Sequence, residues 1–529
     1  MQQSPTPSPR SDGLVLTGGR VLGPDGWAGA VGVRGGVVTA IGDAEGVRAA
    51  TGPDARVVDV SGRWVIPGLA DGHCHFEDAA MDAHAVPLRD ARTVADALDR
   101  IAAFAAGRPD GEWIRGQTWN PVLQLAQQRP PTRTELDAAA AGRPVLLHEG
   151  HGGTASSAAL RRAGIDPAGH GGHLDRADAD RVAAVVPPWT PAQRRAQIRD
   201  AMRLLNAHGI TSVVAGAMTP ADLAVVRALA DDGGATVRVA AMVVPTGAAL
   251  NPDVDRDRWR ELLAGGPPGP TPWTSVRGVK LQIDGGMTLG TAHTRDDYPG
   301  RSGYRGSTVV DAARLRTLVR IAHDCGWPVG VHVVGDAAVD LALDVLGGGA
   351  PGRLPDVLIH ASLMTRDQML RARGSGVVVA AQAPFLWRNG RAIAGHLGED
   401  ALRRAVPFRD WLDVLGPDRV CAGTDHPINA LDPFPNMYLM RTRRDVTGAD
   451  VGAGQRITAA EALGLYTASV AAHTGRPDRG RITVGADADL TVVDRDPLDD
   501  DPAALLGTSV ELTVVAGRMV HERTPAATA

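Results

Sequence analysis

The sequence has few cysteines, no long apolar runs and no cluster of positive charge. Cys74, Cys325 and Cys421 lie far apart and form no CxxC pattern, which argues against a disulfide framework and favours reduced thiols in a cytoplasm. No apolar stretch reaches the length that spans a bilayer, and the opening segment MQQSPTPSPRSDG predicts disorder and not a secretory signal. The net charge of −5, without a basic stripe, argues against nucleic acid as a partner.

Lysine is almost absent, because Lys280 in VRGVKLQID is the one member of the 55 basic residues that is not arginine. Arginine stays protonated at physiological pH, whereas a buried lysine loses its proton readily and becomes a nucleophilic amine. Such an amine forms a Schiff base, acts as a general base, or reacts with carbon dioxide to give a carbamate that bridges two metal ions. Composition alone also allows an arginine-rich genome with one lysine left by chance. The histidines decide between these interpretations.

Strand and helix patterns alternate along the chain. Both ends carry short β-rich pieces with glycine turns, LVLTGGRVLGPDG and GRITVGADADLTVVDRD, which predict that residues 1–66 and 474–529 form one composite β-sandwich. Between them lie eight apolar strand candidates, WVIPGLADGH, GITSVVAG, TVRVAAMVV, VRGVKLQID, WPVGVHVVG, DVLIHAS, GVVVAAQ and RVCAGTDHP. Helical patterns separate most of them, which predicts an α/β fold with a (β/α)8 TIM barrel over residues 67–473. The long interval after the first strand predicts an inserted subdomain at about 77–207.

Potential metal ligands occur near the ends of these strands. In LADGHCHFE, the residues Asp71, His73 and His75 are two apart and therefore share one strand face. Two imidazoles about 6–7 Å apart on one strand can close on a single ion such as zinc. Strand alternation also points every second residue of the fourth strand into the barrel: Val276, Gly278, Lys280, Gln282 and Asp284.

Three further candidates end other predicted strands. His332 ends the fifth strand, His360 the sixth and Asp425 the eighth. A histidine alone is more often structural, and Asp425 alone could cap a helix. Catalytic groups of TIM barrels come from the carboxyl ends of different strands, so these residues together predict one metal site.

In their order along the chain, these pieces resemble the amidohydrolase superfamily. DGHCH is similar to its first-strand H-x-H signature, while WIRGQTWNP, KLQIDGG and HVVGDAAVDLAL resemble the branch that contains N-substituted formamide deformylases and YtcJ-like hydrolases. The resemblance implies one or two divalent ions, with zinc favoured, and a carbamylated Lys280. The implied ligands are His73, His75, Lys280, His332, His360 and Asp425.

The chain departs from that branch in places that bear on the substrate. The loop DGGMTLGTAHT lacks the arginine that is usual there. His426 stands in place of a small residue after Asp425, and the sequence near His151 differs from that of the branch. The pocket therefore does not identify a substrate. The residues expected to line it are Trp119, His151, Asp284, Gln382 and Trp387.

The resemblance implies a metal-dependent hydrolase that cleaves the carbon–nitrogen bond of an amide, N-formyl or cyclic amide group with a metal-activated hydroxide. Asp425 and Lys280 would be its catalytic residues, with Asp425 moving the proton. Metal-dependent decarboxylation or carbon–carbon hydrolysis on the same barrel is an alternative, and a metal-free scaffold is another, although five inward polar groups are costly to bury without a role. We expect a small-molecule substrate, no nucleic acid and no membrane as partners, and leave a homodimer open.

Overall fold

The computed structural model describes residues 13–82, 84–117, 119, 121–149, 152–246, 250–251, 253–347 and 353–524. The segment that was predicted to be disordered, up to residue 12, and the candidate His151 lie outside these residues. Contacts divide the chain into two units, one of Met1–Phe76 with Met202–Ala529 and one of Glu77–Ala201. No helix in the described ranges is both long and apolar enough to cross a membrane.

The strands within the described residues are β1 Leu14–Gly23, β2 Gly26–Arg34, β3 Val37–Gly42, β4 Arg56–Asp59, β5 Trp64–Pro67, β6 Leu69–Cys74, β7 Ile114–Gly116, β8 Val145–Glu149, β9 Gly152–Ala155, β10 His173–Leu174, β11 Ile210–Met218, β12 Arg238–Val243, β13 Thr274–Gln282, β14 Val329–Val333, β15 Val357–His360, β16 Val378–Ala381, β17 Val420–Ala422, β18 Leu490–Val493, β19 Val510–Val515 and β20 Arg518–Glu522. The α-helices are α1 Ala44–Thr51, α2 Phe76–Asp82, α3 Val94–Ala106, α4 Pro121–Gln124, α5 Arg133–Ala139, α6 Ser157–Arg162, α7 Arg176–Ala184, α8 Pro191–Ala207, α9 Pro220–Asp231, α10 Arg256–Leu263, α11 Ala312–Asp324, α12 Asp336–Leu343, α13 Arg366–Ser375, α14 Pro384–Leu397, α15 Glu399–Arg404, α16 Phe408–Leu415, α17 Pro433–Thr442, α18 Ala459–Leu465 and α19 Ala468–His473.

Strands from both ends of the chain form one sheet, in the order β20-β19-β18-β5-β1-β2-β3, with β4 beside β1. Its core combines side chains from the two ends, such as Leu16, Val65 and Val514. The predicted composite of both termini is therefore confirmed. The sheet is mixed, because β4 and β5 pair with β1 in parallel. The helix α1 lies between β3 and β4 and supplies the crossover that a parallel pair needs.

The predicted TIM barrel is confirmed by a sheet in the order β17-β16-β15-β14-β13-β12-β11-β6, in which every pair is parallel. Each strand overlaps one of the eight apolar candidates, and β6, β11 and β13 extend one or two residues beyond theirs. Beyond β17, the backbone N–H of Asp425 donates to the carbonyl of His73 at 2.8 Å, and His75 N–H donates to the carbonyl of His426 at 2.7 Å. The continuation of the eighth strand thus meets the first.

The first strand candidate divides at Gly68. Residues before it form β5 of the mixed sheet and residues after it form β6 of the barrel. A Cβ at Gly68 would lie 2.5 Å from the side chain of Thr211, so the close approach requires glycine. Beside this junction, Arg238 of β12 makes a bidentate contact to Asp489 at 2.7 and 3.0 Å, which ties the barrel to the mixed sheet.

The second unit has its own sheet, in the order β10-β9-β8-β7. Its helix α3 begins after Thr93, whose hydroxyl accepts a hydrogen bond from Asp96 N–H at 3.0 Å and so caps a free backbone donor. Ile101 of this helix is buried in a core with Ile114 and Leu147. The unit therefore buries an apolar cluster of its own.

Candidate metal centre

The structure brings the six predicted ligands to the carboxyl ends of the barrel strands. His73 and His75 lie at the end of β6, His360 ends β15, and Asp425 follows β17. The Nε2 atoms of His73 and His75 each lie 3.4 Å from Asp425 Oδ1. The ring centroid of His360 is 5.6 Å from that of His73 and 4.5 Å from that of His332.

Lys280 belongs to the same cluster. Its side chain on β13 is 2% exposed, and its positive charge lowers the pKa of His73, His332 and His360. This influence requires the ammonium group to lie near the three imidazoles, because Coulomb effects decline with distance. One lysine, four histidines and one aspartate therefore share one site within the first unit.

Burial keeps three of the four imidazoles neutral. It lowers the pKa of His73 and His360 well below the usual value and that of His332 to about 3, and the charge of Lys280 adds to the effect. Burial also raises the pKa of Asp425, while the charges of His75 and Lys280 oppose that rise. Neutral imidazole is the form that binds a metal ion.

Three buried atoms of the cluster have no hydrogen-bond partner among the residues described, namely Nε2 of His73, Nδ1 of His360 and Oδ1 of Asp425. A buried polar atom without a partner costs about 1–3 kcal/mol. Imidazole nitrogen and carboxylate oxygen are ligands of zinc and similar divalent ions, and the ligand atoms of His73, His75 and Asp425 lie within 4.8 Å of one another. The residues present therefore fit a divalent ion, which would supply the missing partner.

Asp71 supports the site from beneath. Its buried carboxylate accepts hydrogen bonds from the hydroxyl and backbone N–H of Thr424 at 2.5 and 3.0 Å and from His73 N–H at 3.1 Å. Burial raises its pKa to about 7, against the effect of these donors. Asp71 therefore links the first strand to the segment after the eighth, next to His73 and Asp425.

His332 has a defined orientation. Its Nε2 lies 3.3 Å from the carbonyl oxygen of Gly285. A carbonyl only accepts hydrogen bonds, so Nε2 carries the hydrogen and Nδ1 keeps its lone pair. The nitrogen that is available to a metal ion in His332 is therefore Nδ1.

Left-handed backbone occurs at the site in residues that are not glycine: φ is 74° at His360, 48° at Ala361 and 57° at Asp425. Such conformations cost about 1–3 kcal/mol each and persist where the surroundings enforce them. Here Ala361 N–H donates to the carbonyl of Val333 at 2.7 Å and Asp425 N–H donates to that of His73 at 2.8 Å. Hydrogen bonds to neighbouring strands thus hold two of the predicted ligands, His360 and Asp425, in place.

Asp284 is engaged by the backbone. Its carboxylate accepts hydrogen bonds from Val334 N–H at 2.9 Å, Gly335 N–H at 2.9 Å and His293 N–H at 2.8 Å. Burial raises its pKa to about 7, while these donors act in the opposite direction. Both carboxylate oxygens hold the loops after β13 and β14, and a contact of Asp284 with substrate stays a prediction.

The other predicted pocket residues are placed differently. Gln382, directly after β16, is 1% exposed and its Nε2 donates to the Ala380 carbonyl at 3.0 Å, whereas the Trp387 ring on α14 packs against Tyr438 with centroids 5.8 Å apart. Trp119 lies in the core of the second unit. Their contact with substrate stays a prediction.

Two residues beside the ligands were not predicted. Phe385 of α14 meets the His360 ring edge to face, with centroids 5.7 Å apart, and a Cβ at Gly216 of β11 would lie 2.8 Å from Cε1 of His73. The position of Phe385 in the first turn after the seventh strand was a signal for it, because βα-loops line such sites. Gly216 gave no signal in the sequence.

Comparisons with known proteins agree with this geometry. A model of the amidohydrolase family matches residues 56–521. The chain is 28% identical to the N-substituted formamide deformylase of Arthrobacter pascens, over 94% of this chain and 95% of the relative, and 28% identical to the putative amidohydrolase YtcJ of Bacillus subtilis, over 93% and 96%. A solved structure of an uncharacterized metal-dependent hydrolase from Pyrococcus horikoshii has a TM-score of 0.77 at 24% identity, covering 93% of this chain and 99% of that chain.

Proposed function

This chain belongs to the amidohydrolase family, and we propose that its metal centre hydrolyses an amide, N-formyl or cyclic amide bond in a small molecule. The family makes it a metal-dependent hydrolase of carbon–nitrogen bonds other than peptide bonds. The observation that carries the proposal is a set of three buried atoms without hydrogen-bond partners among the described residues, His73 Nε2, His360 Nδ1 and Asp425 Oδ1, within a cluster of predicted ligands from separate strands. The formamide deformylase among its relatives supports the choice of substrate class.

We assign the ion to His73, His75, Lys280, His332, His360 and Asp425, with zinc favoured because imidazole nitrogens dominate the ligand set. Lys280 would serve as a carbamate. Its amine is buried among imidazoles that stay neutral, a setting that favours loss of the ammonium proton, and the neutral amine can then combine with carbon dioxide. These residues would hold a divalent ion, whose chemistry would be to lower the pKa of water toward neutrality and to polarise a carbonyl oxygen.

Asp425 would move the proton. Burial raises its pKa, so that this carboxylate gains a proton more easily than an exposed one and can release it again. We propose that the carboxylate oxygens of Asp425, Oδ1 and Oδ2, take up a proton from the attacking water and deliver that proton to the leaving nitrogen. The left-handed backbone at Asp425 fixes the carboxylate beside His73 and His75.

Supporting residues would keep this arrangement constant through the reaction. Asp71 anchors the backbone at His73 and Thr424, and the Gly285 carbonyl fixes the tautomer of His332. Cytoplasmic residence, a homodimer and the pocket roles of Trp119 and Trp387 stay predictions from the sequence.

The test combines a substrate panel with two variants. Zinc-reconstituted protein is assayed against N-formyl, N-acyl and cyclic amides while bound metal is measured by elemental analysis. Lys280→Arg should lose both activity and metal, because a guanidinium does not form a carbamate. Asp425→Asn should keep most of the metal while kcat falls about 10²–10⁴-fold.

Two results would contradict the proposal. Full activity of Lys280→Arg would show that a carbamate at this position is not needed for the reaction. If protein that retains metal hydrolyses none of the amides in the panel, the proposed substrate class is wrong. If short carboxylic acids restore activity to Lys280→Ala but not to Asp425→Asn, the result would support a Lys280 carbamate that bridges two metal ions.

A further inference from the structure

Arg277 of β13 is a buried cation that has no hydrogen-bond partner among the described residues. Its side chain is 0% exposed, and none of its three guanidinium nitrogens has a hydrogen-bond partner in the described part of the chain. Other buried arginines differ: Arg443 donates to three backbone carbonyls and Arg238 pairs with Asp489. Buried charges are normally paired, because an isolated one is costly.

A β-bulge sets the direction of the Arg277 side chain. Ala241 of β12 pairs with Val276, and the next residue, Met242, pairs with Gly278, so that Arg277 is the extra residue between them. A bulge changes the direction of side chains, which is why the strict alternation predicted for this strand fails at Arg277. A Cβ at Gly278 would lie 2.6 Å from the Pro328 carbonyl oxygen, so glycine is needed for the bulge to pack against the neighbouring strand.

The surroundings place Arg277 in the barrel interior, on the amino-terminal side of Lys280. Cys421 belongs to the interior core with Ala70 and Ile359. Burial raises the pKa of its thiol, and the charge of Arg277 opposes that rise. It also acts on His473 of α19, whose Nδ1 is buried and has no partner among the described residues. Two unsatisfied polar groups thus share one apolar interior.

Among the described residues, no carboxylate forms a hydrogen bond with Arg277. The acid whose charge acts on it is Asp356, and that carboxylate already accepts hydrogen bonds from His323 at 3.2 Å, Val329 N–H at 2.9 Å and Gly347 N–H at 3.0 Å. Burial lowers the pKa of Arg277 to about 10, so the guanidinium remains charged at neutral pH.

We propose that the barrel interior below the metal centre binds a small monovalent anion of the chloride class between the guanidinium of Arg277 and Nδ1 of His473. The anion supplies the missing charge, and both groups can present N–H donors to it. The apolar core around Cys421 limits the site to a small ion with a weak hydration shell. This site is separate from the proposed hydrolytic function and does not depend on it.

The test uses bromide, which replaces chloride and scatters anomalously. Crystals of the metal-loaded protein grown in sodium bromide should show an anomalous peak within hydrogen-bond distance of Arg277 and His473. In solution, replacing gluconate by bromide at constant ionic strength should raise Tm on the order of 1–2 °C and then saturate, as stabilisation by a bound ligand does.

Two variants separate this site from general salt effects. Arg277→Met should fold, since an apolar side chain of similar volume often replaces a buried charge at no cost, and should lose the bromide response. Arg320→Met removes an exposed arginine from α11 and should keep the response. A water molecule or protein group on Arg277 in place of a bromide peak, or an equal bromide response in wild type and Arg277→Met, would overturn the proposal. If Arg277→Met does not fold, the anomalous map decides alone.

Discussion

Gly216→Ala tests whether the His73 ring is held at a fixed place by the strand behind it. The added Cβ would lie 2.8 Å from Cε1 and 3.2 Å from Nε2 of His73, whereas carbon atoms in contact normally stay about 3.5 Å apart or more. The ring or the strand must therefore move by about 0.7 Å, the difference between 3.5 and 2.8 Å. On its other sides the ring faces His75 and His360, with centroids 5.4 and 5.6 Å away.

A shift of this size is large for a metal ligand. Sites of this kind work within about 0.5 Å of the productive geometry, and a displacement near 1 Å can cost about 10²-fold in rate. We therefore expect Gly216→Ala to weaken metal binding and kcat/KM by about 10–100-fold. Metal affinity is measured by competition with a chromogenic chelator, and circular dichroism shows whether the fold is intact.

Gly374→Ala is the matched control. Gly374 lies in α13, and a Cβ there would meet nothing within 4 Å, so the same substitution should stabilise the helix by about 0.5–1 kcal/mol and leave metal binding unchanged. Wild-type metal affinity and activity in folded Gly216→Ala would refute the reasoning, because His73 would then not be a ligand whose position matters.

Three further substitutions test single groups around the site. Gln382→Leu removes a buried carboxamide next to His360, which partly opposes the lowering of the pKa of that imidazole by burial; we expect metal affinity to fall about 10–100-fold, as for other residues that orient a ligand, with little change in KM at saturating metal. Asp284→Asn puts an N–H group against backbone donors and should lower the free energy of unfolding by about 2–4 kcal/mol, measured by urea unfolding; an unchanged stability with a raised KM would instead make Asp284 a substrate residue. Burial acts to raise the pKa of Asp356, but the hydrogen bond and charge of His323 and two backbone donors hold it below its usual value, so its stabilisation is present at neutral pH and is lost as the pH falls through the lowered pKa. Asp356→Asn should therefore destabilise the protein by about 1–3 kcal/mol at pH 7, and the gap should shrink below about pH 4; a gap that does not depend on pH would contradict this.

The strands of the barrel could be predicted because parallel strands are buried on both faces and appear as continuous apolar runs. The same pattern predicted the candidate ligands, since His332, His360 and Asp425 lie where apolar runs end and βα-loops begin. Neither inference needed knowledge of which residues touch. The resemblance to a family then supplied the roles that spacing alone left open for Lys280.

Contacts between distant segments could not be predicted in this way. Asp71 and Thr424 are hydrogen-bonded across 353 positions of sequence, and that pairing exists only once the eighth strand meets the first. The fit of Gly216 against His73 depends on the register between β11 and β6, which is irregular between Val213 and Ala215. The bulge at Arg277 depends on the pairing of β12 with β13, and a bulge leaves no mark in an apolar pattern.

The left-handed residues explain why strand ends are suited to a metal site. At His360 and Asp425 the chain must leave the sheet at once, and the conformation that achieves this costs about 1–3 kcal/mol at each residue. Backbone hydrogen bonds to the adjacent strands offset this cost. The N–H group of Ala361 donates to the carbonyl of Val333, and the N–H group of Asp425 donates to that of His73. A ligand in the middle of a strand would have no such turn, and its side chain would stay in the layered interior. Regular hydrogen bonding along the barrel strands therefore fixes the positions of the predicted ligands at the carboxyl ends of the strands, before any metal ion binds.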